Sequence, residues 1–137
     1  MSSINKVQDE IVEEFELFDD WMDRYEHIIE FSKEVPQIEE ELKTEANLVK
    51  GCQSNVWLAP EMKGEKLFFK ADSDAVITRG IVGLLIKILS GHKPEEIAQA
   101  DLYALDKIGL KEHLSPNRAN GLSSMITMMK AYAKATA

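Results

Sequence analysis

Near the amino terminus, apolar residues recur at steps of three and four: Ile4, Val7, Ile11 and Phe15, with Asp9, Glu10, Glu13 and Glu14 between them. That spacing puts them on one face of an amphipathic helix, for which Ser3 is the candidate N-cap. Trp21, Tyr25, Ile28 and Ile29 form a second stripe, and either Asp19 or Asp20 can cap it. Pro36 ends this helix, because the residue before a proline is pushed out of helical geometry. Residues 37–44 are short and acidic, with Ile38 and Leu42 four apart, which suits a brief helix or a solvated connector.

Between residues 48 and 71 the pattern changes to β-branched and aromatic residues, Val49, Val56-Trp57-Leu58 and Leu67-Phe68-Phe69, interrupted by Gly51, Pro60 and Gly64. A small antiparallel sheet is expected, with residues 60–64 as a hairpin connection and residues 51–54 as a loop beside it. From about residue 75 to residue 90 the chain is apolar on nearly every side, through Val76, Ile77, Ile81, Val82, Leu84, Leu85, Ile86, Ile88 and Leu89. A helix of that kind is a central, buried one, and Gly91 suits its C-cap. Pro94 with Glu95 and Glu96 starts a short helical turn, and Ser115-Pro116 opens a last helix with Leu122, Met125, Ile126 and Met129 on its inner face. The expected fold class is α+β, helices packed around a small three-stranded antiparallel sheet.

Length and composition narrow the function. A chain of 137 residues fits one domain, residues 1–137, able to bury roughly two thirds of the surface its unfolded chain exposes. No repeat period and no Pro-, Gly- or Ser-rich linker divides it. With 24 Asp and Glu against 16 Lys and Arg, the net charge of -8 has the wrong sign for DNA or RNA phosphates, so no nucleic-acid partner is expected. The longest uncharged apolar run, residues 80–86, is far short of the ~20 residues a membrane span requires, and residues 1–10 lack the cationic-then-apolar layout of a signal peptide. A cytoplasmic protein without a membrane partner is expected.

Cys52 is the one cysteine, which excludes intramolecular disulfides and multi-cysteine zinc or iron–sulfur motifs within a single chain. Two readings of it stand side by side. Free cysteines are often buried, inert small hydrophobes. Yet Cys52 follows Gly51 and precedes Gln53, Ser54 and Asn55, a polar, turn-forming stretch, and loops carried on rigid strands often hold reactive groups. Reactivity needs thiolate, which a strongly acidic chain disfavours. The candidate donors that could compensate are Lys50, Gln53 and Ser54, together with Arg79 and Arg118 if the fold brings them near. The alternative for each arginine is a surface salt bridge.

Other features point to structure. His27, His92 and His113 lie too far apart for a local metal pair, and no metal site is expected. Trp57 reads as packing, Met125, Met128 and Met129 as a core stripe, and Glu39-Glu40-Glu41 as a solvated face.

The string Val49-Lys50-Gly51-Cys52-Gln53-Ser54-Asn55-Val56-Trp57-Leu58 resembles the cysteine loop of the SufE family. Asp72-Ser73-Asp74-Ala75-Val76-Ile77-Thr78-Arg79-Gly80 is similar to that family's strand-to-helix junction, and His113-Leu114-Ser115-Pro116-Asn117-Arg118-Ala119-Asn120-Gly121-Leu122 to the start of its final helix. Asn55, often Gln in the family, and Asn117, commonly Ser, depart from the pattern. The resemblance implies a SufE/IscU-like fold and a sulfur acceptor that activates a cysteine desulfurase. In that mechanism the Cys52 thiolate attacks the terminal sulfur of a persulfide on a SufS-like or CsdA-like desulfurase, whose pyridoxal phosphate belongs to the partner, and passes the sulfur to a Suf-type cluster scaffold. No cofactor is implied in this chain. Gly51 would permit close backbone approach, Gln53, Ser54, Arg79 and Arg118 would support the loop or the sulfur anion, and His113 could approach the loop as a base. Two other classes remain as alternatives: a cluster scaffold, for which one thiolate is too few ligands, and an interaction module with a buried structural cysteine.

Overall fold

Helix α1 (Ser3–Phe15) buries Ile4, Ile11 and Phe15 at the expected spacing in the computed structural model, which describes residues 3–137. Ser3 is the first residue of this helix rather than its cap, and its Oγ lies 3.1 Å from His92 Nδ1. Met1 and Ser2, part of the leader reading, lie outside the described residues. Asp20 caps α2 (Trp21–Glu30) by accepting the Asp23 N–H at 2.9 Å, which satisfies one of the donors a helix start leaves free. The chain tightens into a 3-10 turn over Phe31–Glu34 before Pro36. Residues 37–44 form no regular helix beyond a 3-10 turn at Glu40–Leu42, and a second such turn follows at Glu45–Asn47.

The sheet has two strands, not three: β1 (Val56–Lys63) and β2 (Lys66–Ser73), antiparallel, in register from Val56 opposite Ser73 to Lys63 opposite Lys66. What the alternation suggested as a third strand is a single bridge, Leu48 to Trp57, with the Val49 N–H donating to Val56 O at 2.8 Å. The turn at Glu45–Asn47 on one side and the turn at Gly51 on the other leave only a few extended residues between them. Pro60 lies within β1 opposite Phe69 rather than in the hairpin turn, which is Gly64-Glu65. A two-stranded sheet has only edge strands, where a residue without an N–H is tolerated.

Helix α3 (Val76–Leu89) is the buried centre, with eleven of its residues shielded from solvent, among them Ile81, Leu84, Leu85 and Ile88. Its glycines allow α2 and the following turn to pack unusually close. A Cβ at Gly80 would stand 2.5 Å from Ile28 O, and one at Gly83 would stand 2.5 Å from Phe31 O. After α3 come α4 (Pro94–Gln99), α5 (Tyr103–Lys107) and α6 (Leu110–His113), then the long α7 (Pro116–Thr136). Ser115 caps α7 by accepting the Arg118 N–H at 3.3 Å, with Pro116 at the first helical position. Leu122, Met125 and Met129 of α7 are buried as expected, whereas Ile126 and Met128 are half-buried. Trp57 is half-buried too, its ring beneath Lys43 Nζ at 5.5 Å from the centroid. No helix among the described residues is long and apolar enough to cross a membrane.

Candidate functional site

The cysteine loop turns at Gly51, whose φ of +86° lies in the left-handed region that a Cβ disfavours. That turn delivers Cys52, half-buried, to the lining of a cavity of about 210 Å³. Three segments build the cavity. The loop contributes Cys52, Gln53 and Ser54; the start of α3 contributes Ala75, Thr78 and Ile81; the first turns of α7 contribute Asn117, Arg118, Gly121 and Met125. Cys52 Sγ lies 3.8 Å from the Gly121 carbonyl oxygen, the distance of a weak S–H···O contact.

Downstream of the thiol, the loop is pinned by the strand-to-helix junction. Ser54 Oγ donates to Thr78 Oγ1 at 3.0 Å. Asp74 accepts the Asn55 N–H at 3.1 Å through its carboxylate, while its own N–H and the Ser73 hydroxyl both donate to Asn55 O. Behind this junction Asp72 accepts from Arg79 Nε at 3.1 Å, from Lys43 Nζ at 2.8 Å and from the Ser73 N–H at 2.8 Å. Burial alone would raise the Asp72 pKa. The hydrogen bonds from Lys43 and Ser73 and the charges of Lys43 and Arg79 outweigh it and hold the carboxyl below its usual range.

Electrostatics at the sulfur run the opposite way. Burial pushes the Cys52 thiol up, and it is the one cause of that shift. The resting thiol is therefore kept neutral and poorly nucleophilic.

Not every residue expected at the site is there. Gln53, Ser54 and Arg118 line the cavity with Cys52. Arg79 does not reach it; its guanidinium binds Asp72 and, at 2.6 Å, the Ser73 carbonyl, so it braces the junction from behind. His113 is not at the cysteine loop: its ring stacks on Trp21 with centroids 4.3 Å apart, and its Nδ1 sits 2.9 Å from Gly109 O. The four-residue helix α6 turns that side chain toward α2, away from the cavity its sequence neighbours line. Lys50 pairs with Glu45 at 3.4 Å. Ala75, Thr78, Ile81, Asn117, Gly121 and Met125 also line the cavity and were missed as site residues. Gly121 alone carried a readable signal, a glycine inside a helical pattern, which weakens the helix and so asks for a reason.

A second, larger cavity of about 660 Å³ lies between residues 45–50 and α7, lined by Ser123, Ser124, Thr127, Met128 and Ala131 among others. It holds no nucleophilic thiol, and its charged groups, Glu45 and Lys50, are paired with one another. The thiol lines the smaller cavity. Among the described residues no group of three or more His, Cys, Asp or Glu is arranged to hold a metal ion.

Residues 9–133 match the family model SufE, described as an Fe-S metabolism associated domain. The chain belongs to the SufE family. An uncharacterised SufE-like protein of Rhizobium meliloti strain 1021 is 44% identical over 133 residues, covering 92% of this chain and 94% of that one. A second, from Rhizobium etli, is 42% identical over 134 residues, with coverage of 94% and 90%. A third, from a Synechocystis strain, is 37% identical over 123 residues, 90% of this chain and 77% of that one. The solution structure of a hypothetical protein from Thermus thermophilus superposes with a TM-score of 0.78 at 21% identity, over 95% of each chain. At that identity the likeness speaks to the fold, and it agrees with the mixed helix-and-hairpin architecture of this SufE-family chain. Membership ties the protein to iron–sulfur metabolism.

Proposed function

We propose that this protein is a sulfur carrier and activator for a cysteine desulfurase, with Cys52 as the persulfide acceptor. The observation that carries the reading is the placement of the chain's one thiol: on a glycine-turned loop, half-buried, lining a cavity of about 210 Å³. A carrier needs an accessible thiol and no second cysteine beside it, since a neighbouring thiol would capture the persulfide as a disulfide.

The transfer step balances without an outside redox partner. The Cys52 thiolate attacks the terminal sulfur of the donor persulfide; a new S–S bond forms at Cys52, the S–S bond of the donor breaks, and the donor cysteine leaves as thiolate. Because burial holds the resting thiol neutral, docking has to move the loop outward or supply donors to it before attack. Arg118, Gln53 and Ser54 line the same cavity and are the candidates for that role. Partners of the SufS or CsdA type fit as donors, and a Suf-type cluster scaffold as the recipient.

Intact-mass measurement tests the reading. The chain is mixed with an active cysteine desulfurase and free cysteine without reductant, with Cys52→Ser in parallel. Gain of one or more sulfur atoms by the wild type, reversed by reductant and absent from the variant, is the expected result. No added sulfur with either desulfurase type overturns the carrier reading and leaves an interaction module with a structural cysteine.

A further inference from the structure

On α7, Gly121 is where the helix meets the sulfur. Its carbonyl is the 3.8 Å neighbour of Cys52 Sγ. A Cβ built at this position would stand 3.2 Å from Sγ, 3.7 Å from Cα and 3.8 Å from Cβ of Cys52. Three residues on, Ser124 Oγ lies 2.8 Å from where a Cβ on Gly51 would be. Positions 121 and 124 share one helix face, so Gly51 and Cys52 rest together on a two-point seat on α7. Of the three nearest contacts a methyl group at 121 would make, those with Cα and Cβ are ordinary packing distances, and only the one with sulfur is too tight. A glycine inside a 21-residue helix weakens it relative to alanine, and what it provides in return here is space for that one atom.

We propose that Gly121 is a positioning residue: the absence of a side chain there sets how deep the Cys52 sulfur sits in its cavity, and with it the access of reagents and partners to the thiol. The inference deepens the carrier reading and rests on it for its biological consequence. The seat itself depends only on the contact between loop and helix. With a Cβ at 121 only 3.2 Å from Sγ, the sulfur has to move away from α7, and on this reading it moves toward solvent.

The test uses the full chain and its one thiol. Alkylation of Cys52 by iodoacetamide is followed from neutral to alkaline pH in wild type and Gly121→Ala, with thermal melting of both. The expected result is a profile shifted toward lower pH and a rate at neutral pH raised by about threefold to tenfold, the range set by a lowered thiol pKa and the weaker nucleophilicity that accompanies it. The melting temperature holds or rises, because alanine is the better helix former. A native fold with a profile that overlays the wild type, or moves to higher pH, overturns the proposal. If Gly121→Ala lowers the melting temperature, a double-mutant cycle with Cys52→Ala decides. Loss of the effect in the Cys52→Ala background places the clash at sulfur and supports the seat; an equal effect in both backgrounds overturns it. Sulfur loading of the wild type by a desulfurase, read alongside, separates the two ideas: no loading combined with a shifted alkylation profile removes the carrier reading and keeps the seat.

Discussion

At Cys52, desolvation governs the acid–base balance, and its sign has a measurable consequence. Burial raises the folded-state pKa, so folding favours the neutral thiol. A contribution of this kind is fully present below the unfolded thiol value of about 8.5 and is lost as pH rises from there through the higher folded value. Stability measured by urea denaturation should therefore fall across that alkaline window, and Cys52→Ala should make the fall shallower. Arg118 lines the same cavity, yet no neighbouring charge contributes to the thiol's shift. Arg118→Gln is accordingly expected to leave the alkylation profile of the free protein in place; a clear shift to higher pH would mean that the guanidinium already stabilises the thiolate. The polar run after Gly51 is what made Cys52 visible in the sequence. Gly121 became meaningful only when the fold brought it within reach of a sulfur 69 residues away in the chain, and His113 was misplaced because its Trp21 stack joins elements no local pattern connects.

Among the elements, the contact of α3 with α2 and the 3-10 turn that follows it is the least forgiving. Gly80 and Gly83 face the Ile28 and Phe31 carbonyls at distances no Cβ can occupy, and what must yield is backbone rather than a flexible side chain. Gly83→Ala is expected to cost at least about 2 kcal/mol of stability, read as a lower urea midpoint, since overpacking of this kind forces two elements apart. The same change would disturb α3, which carries Thr78 and Ile81 into the cysteine cavity. Element by element, legibility followed how local the cause was. Asp20 and Ser115 act on residues three positions away: the sequence narrowed the cap of α2 to Asp19 or Asp20 and showed Ser115-Pro116 as the start of α7. The apolar circumference of α3 also announced its burial. The short run at Leu48 and Val49 shows the strand alternation without the length, and a single bridge looks the same as a strand from inside such a run. Pro60 carried a turn signal that the edge position of β1 made unnecessary.

Across the whole molecule, Asp72 joins segments far apart in sequence: Lys43 from the connector, Arg79 from α3 and the end of β2 meet at one carboxylate that is largely shielded from solvent. Asp72→Asn should cost about 1–3 kcal/mol, because it leaves charged donors with a neutral acceptor in a partly buried site. The pH dependence follows from a depressed carboxyl pKa: the contribution is present above the unfolded value of about 3.9 and is lost as pH falls through the lower folded one. Acid titration of stability should show the wild type losing an increment there that Asp72→Asn lacks. A salt bridge was the alternative weighed for Arg79, but neither its partner nor the part of Lys43 was readable, since the members are separated by up to 36 residues and only the tertiary fold selects them from 24 acidic and 16 basic candidates. The hairpin shows a different kind of consequence. Its two strands run together for eight paired positions from the Val56–Ser73 end, beside the cysteine loop, to the Lys63–Lys66 end, where a side chain added at Gly64 would meet nothing within 4 Å. Seven strand steps make about 23 Å, so the molecule carries its own rigid spacer, with the Cys52 sulfur near one end and the exposed turn residue Glu65, free of the positive φ that strains a side chain at Gly64, as an attachment point for a dye or surface tether at the other.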